Sequence, residues 1–428
     1  MSNFTRILDA CDQVGRLARE SGLGLLDVEN TRLDGRTLEV DGRTLFNFSS
    51  CSYLGLELDE RLIEGAIDAT RRFGTQFSMS RAFASAPPYA DLESLLEEMT
   101  GHPTLVLPTT TLATMAALPS VIEEGDAVLF DQQVHMSVQS VAPTLSAIGV
   151  HLETIPHARL DVLESRLKEL ETKARRVWYL ADGVFSMHGD ILPISDLAGL
   201  RARYPSLHLF LDDAHGTSWS GLHGRGVAIE RLPSLERTIV ALSLNKSFGA
   251  GGGALCFPDE SMKRRVRHVS GPTNFSGPLQ PPMLGAAVAS ARVHLAPDFR
   301  ETQGELEERI DYANHQATDL GLPLLHADAR VPVRFLGLGP QEVSVEIAQA
   351  LMRAGFMAGC ALFPAVPAHQ TGIRFTITRH QRLSDIESFL DTIHELLPAA
   401  LAHAGIRRDA LDRVFGLKMP TRASSAPG

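Results

Sequence analysis

Short apolar runs alternate with helical stretches along most of the chain. Seven such runs are TLVL (104–107), AVLF (127–130), VHLETI (150–155), VWYLAD (177–182), HLFLDD (208–213), TIVALSL (238–244) and GALCF (253–257). Nearly continuous apolarity, rather than apolar-polar alternation, marks strands buried on both faces, and the intervening helices supply crossovers. The pattern therefore predicts an α/β fold with a mostly parallel sheet covered on both sides. Ahead of it, residues 1 to about 45 read as an amphipathic helix and a hairpin-like piece, TRLDGRTLEVDGRTLFNF, with two DGR turns. After Pro278 the pattern changes to long helices, then RVPVRFLGLG, a helix VSVEIAQALMRAGF, strands around CALFPAVP and GIRFTITR, and a closing helix SDIESFLDTIHELL. The expected division is an N-terminal segment 1–48, a large domain 49–290, a smaller α/β C-terminal domain 291–416 and a disordered tail 417–428.

Composition narrows the class. A chain of 428 residues, 44% of them hydrophobic, can bury one large core and a second smaller one. The N-terminus MSNFTRILDACDQVGRLARE mixes charges into a helical pattern, and no long uncharged apolar run follows, so neither a signal peptide nor a membrane span is expected. The expected location is the cytoplasm. Cys11, Cys51, Cys256 and Cys360 show no metal-ligand or CxxC spacing, which argues against a disulfide framework and against a structural zinc site. A formal net charge of −11 without a basic stripe argues against nucleic acid or an anionic membrane as partner.

In an open α/β sheet, ligands bind beyond the carboxyl ends of the strands, so the polar residues that close apolar runs are the candidates for chemistry. HLFLDDAHG closes with Asp212, Asp213 and His215, AVLFDQQVHMS with Asp131 and then His135, VWYLADGVFSM with Asp182 and Ser186, and TIVALSLNK with Ser243 and Lys246. Singly, each is as readily a helix cap or a solvated loop residue. Together they offer an amine, a carboxylate, two imidazoles and hydroxyls. Pyridoxal phosphate requires such a set: a lysine for a Schiff base, a carboxylate for its pyridine nitrogen and a group to cover its ring.

The glycines after Lys246 admit two other readings. GAGGGA (249–254) formally matches a dinucleotide fingerprint, but LCFPDE after it reads as a strand where the fingerprint needs a helix. A phosphate-binding P-loop needs glycine before its Lys-Ser pair, and Asn245 stands there. The glycines are better explained as a tight turn beside the lysine.

LDDAHGTSWSGLHGRG followed by SLNKSFGAGGGAL, with FDQQVHMS and DGVFSMHGDILPI upstream, resembles the α-oxoamine synthases, from FNFSSCSYLGL near residue 50 to GIRFTITRH near 380. These are fold-type I pyridoxal-phosphate transferases that condense an amino acid with an acyl thioester and release carbon dioxide. The resemblance implies a large domain with a mostly parallel seven-stranded sheet and a smaller α/β C-terminal domain. It also implies that Lys246 is the Schiff-base lysine, that Asp212 pairs with the pyridine nitrogen, and that His135 lies over the ring. His215 would bond the ring oxygen or the reacting carbonyl, with Ser186 near the same oxygen. Thr110 and Thr111 in TTTLAT, ahead of a helix, would hold the phosphate, with Ser243 adding a hydroxyl. NFSGPLQPP resembles the loop that completes a neighbouring subunit's phosphate site, so Ser276 implies a homodimer with shared sites. Arg374 in GIRFTIT matches the arginine that holds the amino acid's carboxylate.

Departures fall on the substrate side. Cys51 in CSYLGL stands where an asparagine is expected near the substrate carboxylate. GTQFSMSRAFASAPPYADLE is one residue short, with Tyr89 near the place of a histidine, and its FSMSRAF is similar to the segment in quorum-sensing autoinducer synthases. The glycine-aromatic pair of the phosphate loop is missing. The partners implied are an amino acid and an acyl thioester, carried by coenzyme A or an acyl carrier protein. An aminotransferase or aldolase-like reaction on the same fold, and a non-catalytic binding protein, are the alternatives. MKRRVRH (262–268) is a weak coenzyme A candidate and reads better as a solvated helix face.

Overall fold

The protein is described by a computed structural model covering residues 3–417; the tail expected at the C-terminus lies, from residue 418 on, outside the described residues. In chain order the strands are β1 (Thr37–Val40), β2 (Arg43–Asn47), β3 (Thr104–Leu107), β4 (Ala127–Asp131), β5 (His151–Ile155), β6 (Val177–Asp182), β7 (Leu207–Asp212), β8 (Thr238–Ser243), β9 (Gly253–Cys256), β10 (Val333–Gly339), β11 (Phe356–Met357), β12 (Gly359–Ala361) and β13 (Thr371–Thr376). Two compact units result. One joins the residues up to Tyr53, Met187–Asp190 and the chain from Glu305 on; the other holds Leu54–Ser186 and Ile191–Gly304.

The second unit contains a seven-stranded sheet in the order β3-β9-β8-β7-β6-β4-β5. The seven apolar runs have become its seven strands. Neighbours from β5 to β8 pair in parallel, and β9 runs antiparallel to both β8 and β3. Strands β3, β4, β6, β8 and β9 are buried at every position, as their unbroken apolarity requires, whereas the edge strand β5 is exposed at His151 and Thr154. Trp178, Leu180, Phe210, Ile239 and Leu255 pack on Ala113, Ala116 and Ala117 of the helix Thr110–Val121, where small side chains let helix and sheet approach. Helices Glu60–Phe73 and Pro281–Leu295 meet backbone to backbone. A Cβ at Gly285 would lie 2.2 Å from the Gly65 carbonyl oxygen.

The first unit has two three-stranded sheets. β1 and β2 form a hairpin whose turn residues Asp41 and Gly42 both have positive φ, 49° and 67°, as a two-residue primed turn requires. The first DGR is no hairpin turn: the Asp34 carboxylate accepts from the Arg36 and Thr37 amides and leads the chain into β1. β11 then pairs with β2 in parallel, Phe356 opposite Phe46. The Phe48 ring stacks on Phe389 with centroids 4.1 Å apart, and Arg36 grips Asp385 through two hydrogen bonds of 2.7 Å. The N-terminal segment expected at 1–48 is thus bound into the same unit as the C-terminal residues. That unit begins its long C-terminal stretch at Glu305 rather than at the expected 291. β10, β13 and β12 form the other sheet, all antiparallel. Among the described residues no helix is long and apolar enough to cross a membrane.

Gly285→Ala is expected to lower the melting temperature. Overpacking a close contact costs about 1–3 kcal/mol, which outweighs the roughly 1 kcal/mol gained by replacing glycine in a helix. Gly304→Ala, where an added Cβ meets nothing within 4 Å, is the control and should be neutral or slightly stabilising. Thermal unfolding followed by circular dichroism reads both.

Candidate active site

Parallel pairing lines up the carboxyl ends of β6, β7 and β8 at one edge of the sheet. A cavity of about 280 Å³ opens there, walled by Thr109, Thr110, Thr111, His135, Ser137, Asp182, Asp212, Ala214, His215, Ser243, Asn245 and Lys246. Seven residues expected from the sequence are therefore brought together: Lys246, Asp212, His215, His135, Thr110, Thr111 and Ser243. Asp131 is not among them. It serves the structure instead, accepting from the Tyr179 hydroxyl (2.8 Å), the Ala158 amide (2.7 Å) and His157 Nδ1 (2.9 Å).

Lys246 sits in a turn that the glycines close. The Leu244 amide donates to the Gly252 carbonyl at 3.0 Å, the Ala250 amide to the Leu244 carbonyl at 3.0 Å, and the Gly249 amide to the Lys246 carbonyl at 2.9 Å. Gly249 has φ +76° and passes so close to Leu56 and Glu57 that a Cβ would lie 2.7 Å from their backbone. Both constraints exclude a side chain there. The Asn245 amide donates to Ser243 Oγ and the Asn245 side chain accepts from the Gly252 amide, so the residue that disqualified a P-loop holds the turn. Lys246 Nζ lies 2.7 Å from His215 Nε2, close enough for a proton to pass between amine and imidazole.

In the same cavity, Asp212 accepts from the Ala214 amide at 3.1 Å, and Asp182 accepts from the His135 amide at 3.0 Å. Burial and the neighbouring Asp212 push the Asp182 carboxyl well above the usual carboxylate range, against the pull of the His135 amide and Lys246. His135 caps the helix Met136–Gln139, and its Nδ1 lies 2.8 Å from Ser137 Oγ. Burial lowers its imidazole below the ordinary value, with Lys246 adding to the shift and Asp212 opposing it.

Thr109, also in the cavity lining, caps the helix Thr110–Val121, accepting from the Leu112 amide at 3.1 Å. Thr110 and Thr111 thus belong to the first turn, where backbone N–H groups lack intrahelical acceptors and attract anions. A Cβ at Gly253 would lie 2.4 Å from the Thr110 amide nitrogen, so this glycine lets β9 run directly beneath the helix start.

Two expected residues of this unit stand elsewhere. Ser186 is half-buried after β6 and is not among the residues lining the cavity. Ser276 is half-buried, on the loop before the helix Pro281–Leu295, and does not line it either. That loop is held from below. The Tyr89 hydroxyl accepts from the Leu279 amide at 2.6 Å, and the Arg81 guanidinium covers the Tyr89 ring at 3.8 Å. Arg81 also bonds Glu93 (3.0 Å) and the Val106 carbonyl (2.6 Å) at the end of β3. Tyr89, the departure noted in the sequence, is thus a buried post under the Ser276 loop. In the first unit, Arg374 on β13 and Cys51 come together, Nη2 to Sγ 3.9 Å, beside the fully buried Tyr53.

The aminotransferase class I and II family model matches residues 43–386. The chain belongs to this family. Among its relatives, the 8-amino-7-oxononanoate synthase of Maricaulis maris is 32% identical over 87% of this chain and 92% of its own length. The protein of the same name from Xanthomonas campestris pv. campestris is 30% identical over 85% and 88%. Serine palmitoyltransferase from Sphingomonas wittichii shares the fold with a TM-score of 0.83 at 21% identity, covering 94% of this chain and 100% of that one. The chain is accordingly an α-oxoamine synthase, a pyridoxal-phosphate-dependent acyltransferase that condenses an amino acid with an acyl thioester and releases carbon dioxide.

The donor set fits that cofactor. An amine, a carboxylate, two imidazoles and a helix start with its three threonines all line one cavity. The sequence reading gave no role to Asp182, Ser137, Asn245 or Thr109. Asp182 carried a signal, since it closes its apolar run as Asp212 closes the next, but the register that makes them neighbours is a property of the sheet.

Beneath the site, Asp213 is fully buried. One carboxyl oxygen accepts from the Ala228 amide at 2.8 Å while the other has no hydrogen-bond partner among the described residues, and Cβ atoms at Gly183, Gly216 and Gly226 would each come within 2.4 Å of the carboxyl. Burial first, and Asp212 as well, push its pKa up to about 8. The folded protein holds this proton up to about pH 8, whereas the unfolded chain releases it near pH 4. Its contribution to stability is complete below about pH 4 and is lost as pH rises towards 8. Asp213→Asn should therefore gain on the parent enzyme in melting temperature across that window, the difference levelling off above it.

Proposed function

We propose that Lys246, His215, Asp212 and His135 are the catalytic group, and that the substrates are a small amino acid of the alanine type and an acyl thioester. The cavity that unites the amine, the carboxylate and the imidazoles carries this reading. Pyridoxal phosphate, when bound, supplies an electron sink that stabilises a carbanion at the amino acid's α-carbon. Lys246 would anchor its aldehyde carbon, Asp212 would keep a proton on its ring nitrogen, and His135 would cover the ring. Thr110, Thr111 and Ser243 would hold its phosphate.

Lys246 Nζ takes the α-proton of the amino acid, and His215, 2.7 Å away, orients that amine and relays the proton. His215 then donates a hydrogen bond to the thioester carbonyl as negative charge builds on its oxygen. Arg374 binds the amino acid's carboxylate with its planar fork, and the Cys51 thiol stands beside it in place of an amide. Ser276, on an exposed loop next to Phe275, which is 91% exposed, reaches the phosphate site of a second copy in a homodimer. A cytoplasmic setting agrees with the unpaired thiols of Cys51, Cys256 and Cys360.

The choice of amino acid is supported by the relatives at 30–32% identity. Their name describes an amino ketone whose amino-bearing carbon carries a methyl group, beside the oxo group of a chain ending in a carboxylate. Decarboxylative condensation gives that product from alanine and an acyl thioester with a carboxylate at its far end.

Purified enzyme with pyridoxal phosphate should show a visible band that shifts with alanine, and should release carbon dioxide only when an acyl thioester is added. A stable amine form of the cofactor and a keto acid from amino acid alone would assign transamination instead. Lys246→Ala should lower turnover by at least about a thousandfold. Asp212→Asn should keep the cofactor and lose most activity. Arg374→Lys should raise KM for the amino acid about tenfold with little change in kcat, since a point charge replaces a bidentate fork.

A further inference from the structure

Asp182 is the remaining carboxyl of the cavity. It closes β6 directly opposite Asp212 on β7, the two being paired in register, and both line the same wall. It is 2% exposed. The one hydrogen bond its carboxyl makes among the described residues is accepted from the His135 amide, 3.0 Å away. His135 is therefore tied at two points: its main chain to Asp182, and its ring through Nδ1 to Ser137, whose amide lies at 3.2 Å and hydroxyl at 2.8 Å.

Two adjacent buried carboxyls do not both carry charge without a large penalty. The groups facing Asp182 are Asp212 from β7, Asp131 from β4, Lys246 from the turn after β8 and the His135 amide. Two of the four are carboxyls, and burial acts in the same direction as they do. An uncharged carboxyl in this place has the size and shape of an amide, and its carbonyl oxygen still accepts from His135.

We propose that Asp182 is a positioning residue for the condensation, a hydrogen-bond acceptor that fixes His135 while Asp212 partners the cofactor ring. The inference rests on the roles given above to Asp212 and His135. It assigns opposite needs to two neighbouring aspartates: Asp212 must be ionised and Asp182 need only accept.

The same substitution at both positions separates them. In protein loaded with pyridoxal phosphate, Asp182→Ala is expected to lower kcat by about tenfold or more with little change in KM, because a misplaced group at the reacting centre can cost up to about a hundredfold. It should also alter the visible circular dichroism of the bound cofactor, whose ring His135 no longer holds. Asp182→Asn, which keeps the acceptor, should rescue kcat to within about threefold of the parent, restore the dichroism and leave the pH profile in place. If Asp182→Ala does not fold, Asp182→Ser takes its place.

Asp182→Asn as impaired as Asp182→Ala would overturn the proposal by showing that the charge or the proton is required. Asp182→Ala with unchanged kcat and dichroism would overturn it as well. If His135→Ala and Asp212→Asn also left dichroism and kcat unchanged, the reading of the site itself would fall. Loss in those two variants with Asp182→Ala silent would sink only the role of Asp182.

Discussion

Hydrogen bonding between β6, β7 and β8 brings Asp182, Asp212 and Ser243 to one edge of the sheet, and the chemistry of the chain hangs on that alignment. The pairing continues past the strand ends, where the Gly183 amide donates to the Asp212 carbonyl and the Asp213 amide to the Ala241 carbonyl, both at 2.8 Å. A slip by one residue would turn every side chain to the other face and bury the carboxylates in the apolar layer. What opposes the slip is the size of the side chains, since Trp178, Leu180 and Phe210 fill the face that packs on the small residues of the helix Thr110–Val121.

The same edge gathers more buried carboxyls than stability alone would favour. Asp182, Asp212 and Asp213 lie within two adjacent strand ends, with one lysine close by, and two of the three sit well above the ordinary carboxylate range. Three glycines make room for Asp213, and two more shape the turn that presents Lys246. Sites that tune proton affinity commonly depart in this way from what packing would choose.

The large sheet was legible because each strand is a short, nearly pure apolar run, and the polar residues that close those runs point to the cofactor from the sequence alone. Less was legible where a neighbour decides the outcome. Nothing in FNF or GFM announces that two residues of β11 join β2 across three hundred positions, so the N-terminal segment reads as separate when it is not. The two DGR tripeptides look alike, yet only the second has strand on both sides to make a hairpin. Asp182 was visible as a strand end but not as a partner of His135, because that contact is made by a backbone amide, which every residue except proline possesses.

The post formed by Arg81 and Tyr89 under the Ser276 loop has a thermodynamic consequence. Ser80 Oγ holds the Asn274 carbonyl and Arg267 bonds Asn274, so the loop is fastened at its start as well as at Leu279. Phe83 and Phe275, 87% and 91% exposed, are carried on these fastened segments. Ordering a flexible loop costs conformational entropy at the moment of contact, and here much of that ordering is complete within the single chain. In the proposed homodimer, contact made through Phe83 and Phe275 would begin from a preformed shape and gain affinity from the apolar area of the two rings, instead of spending it on arranging them.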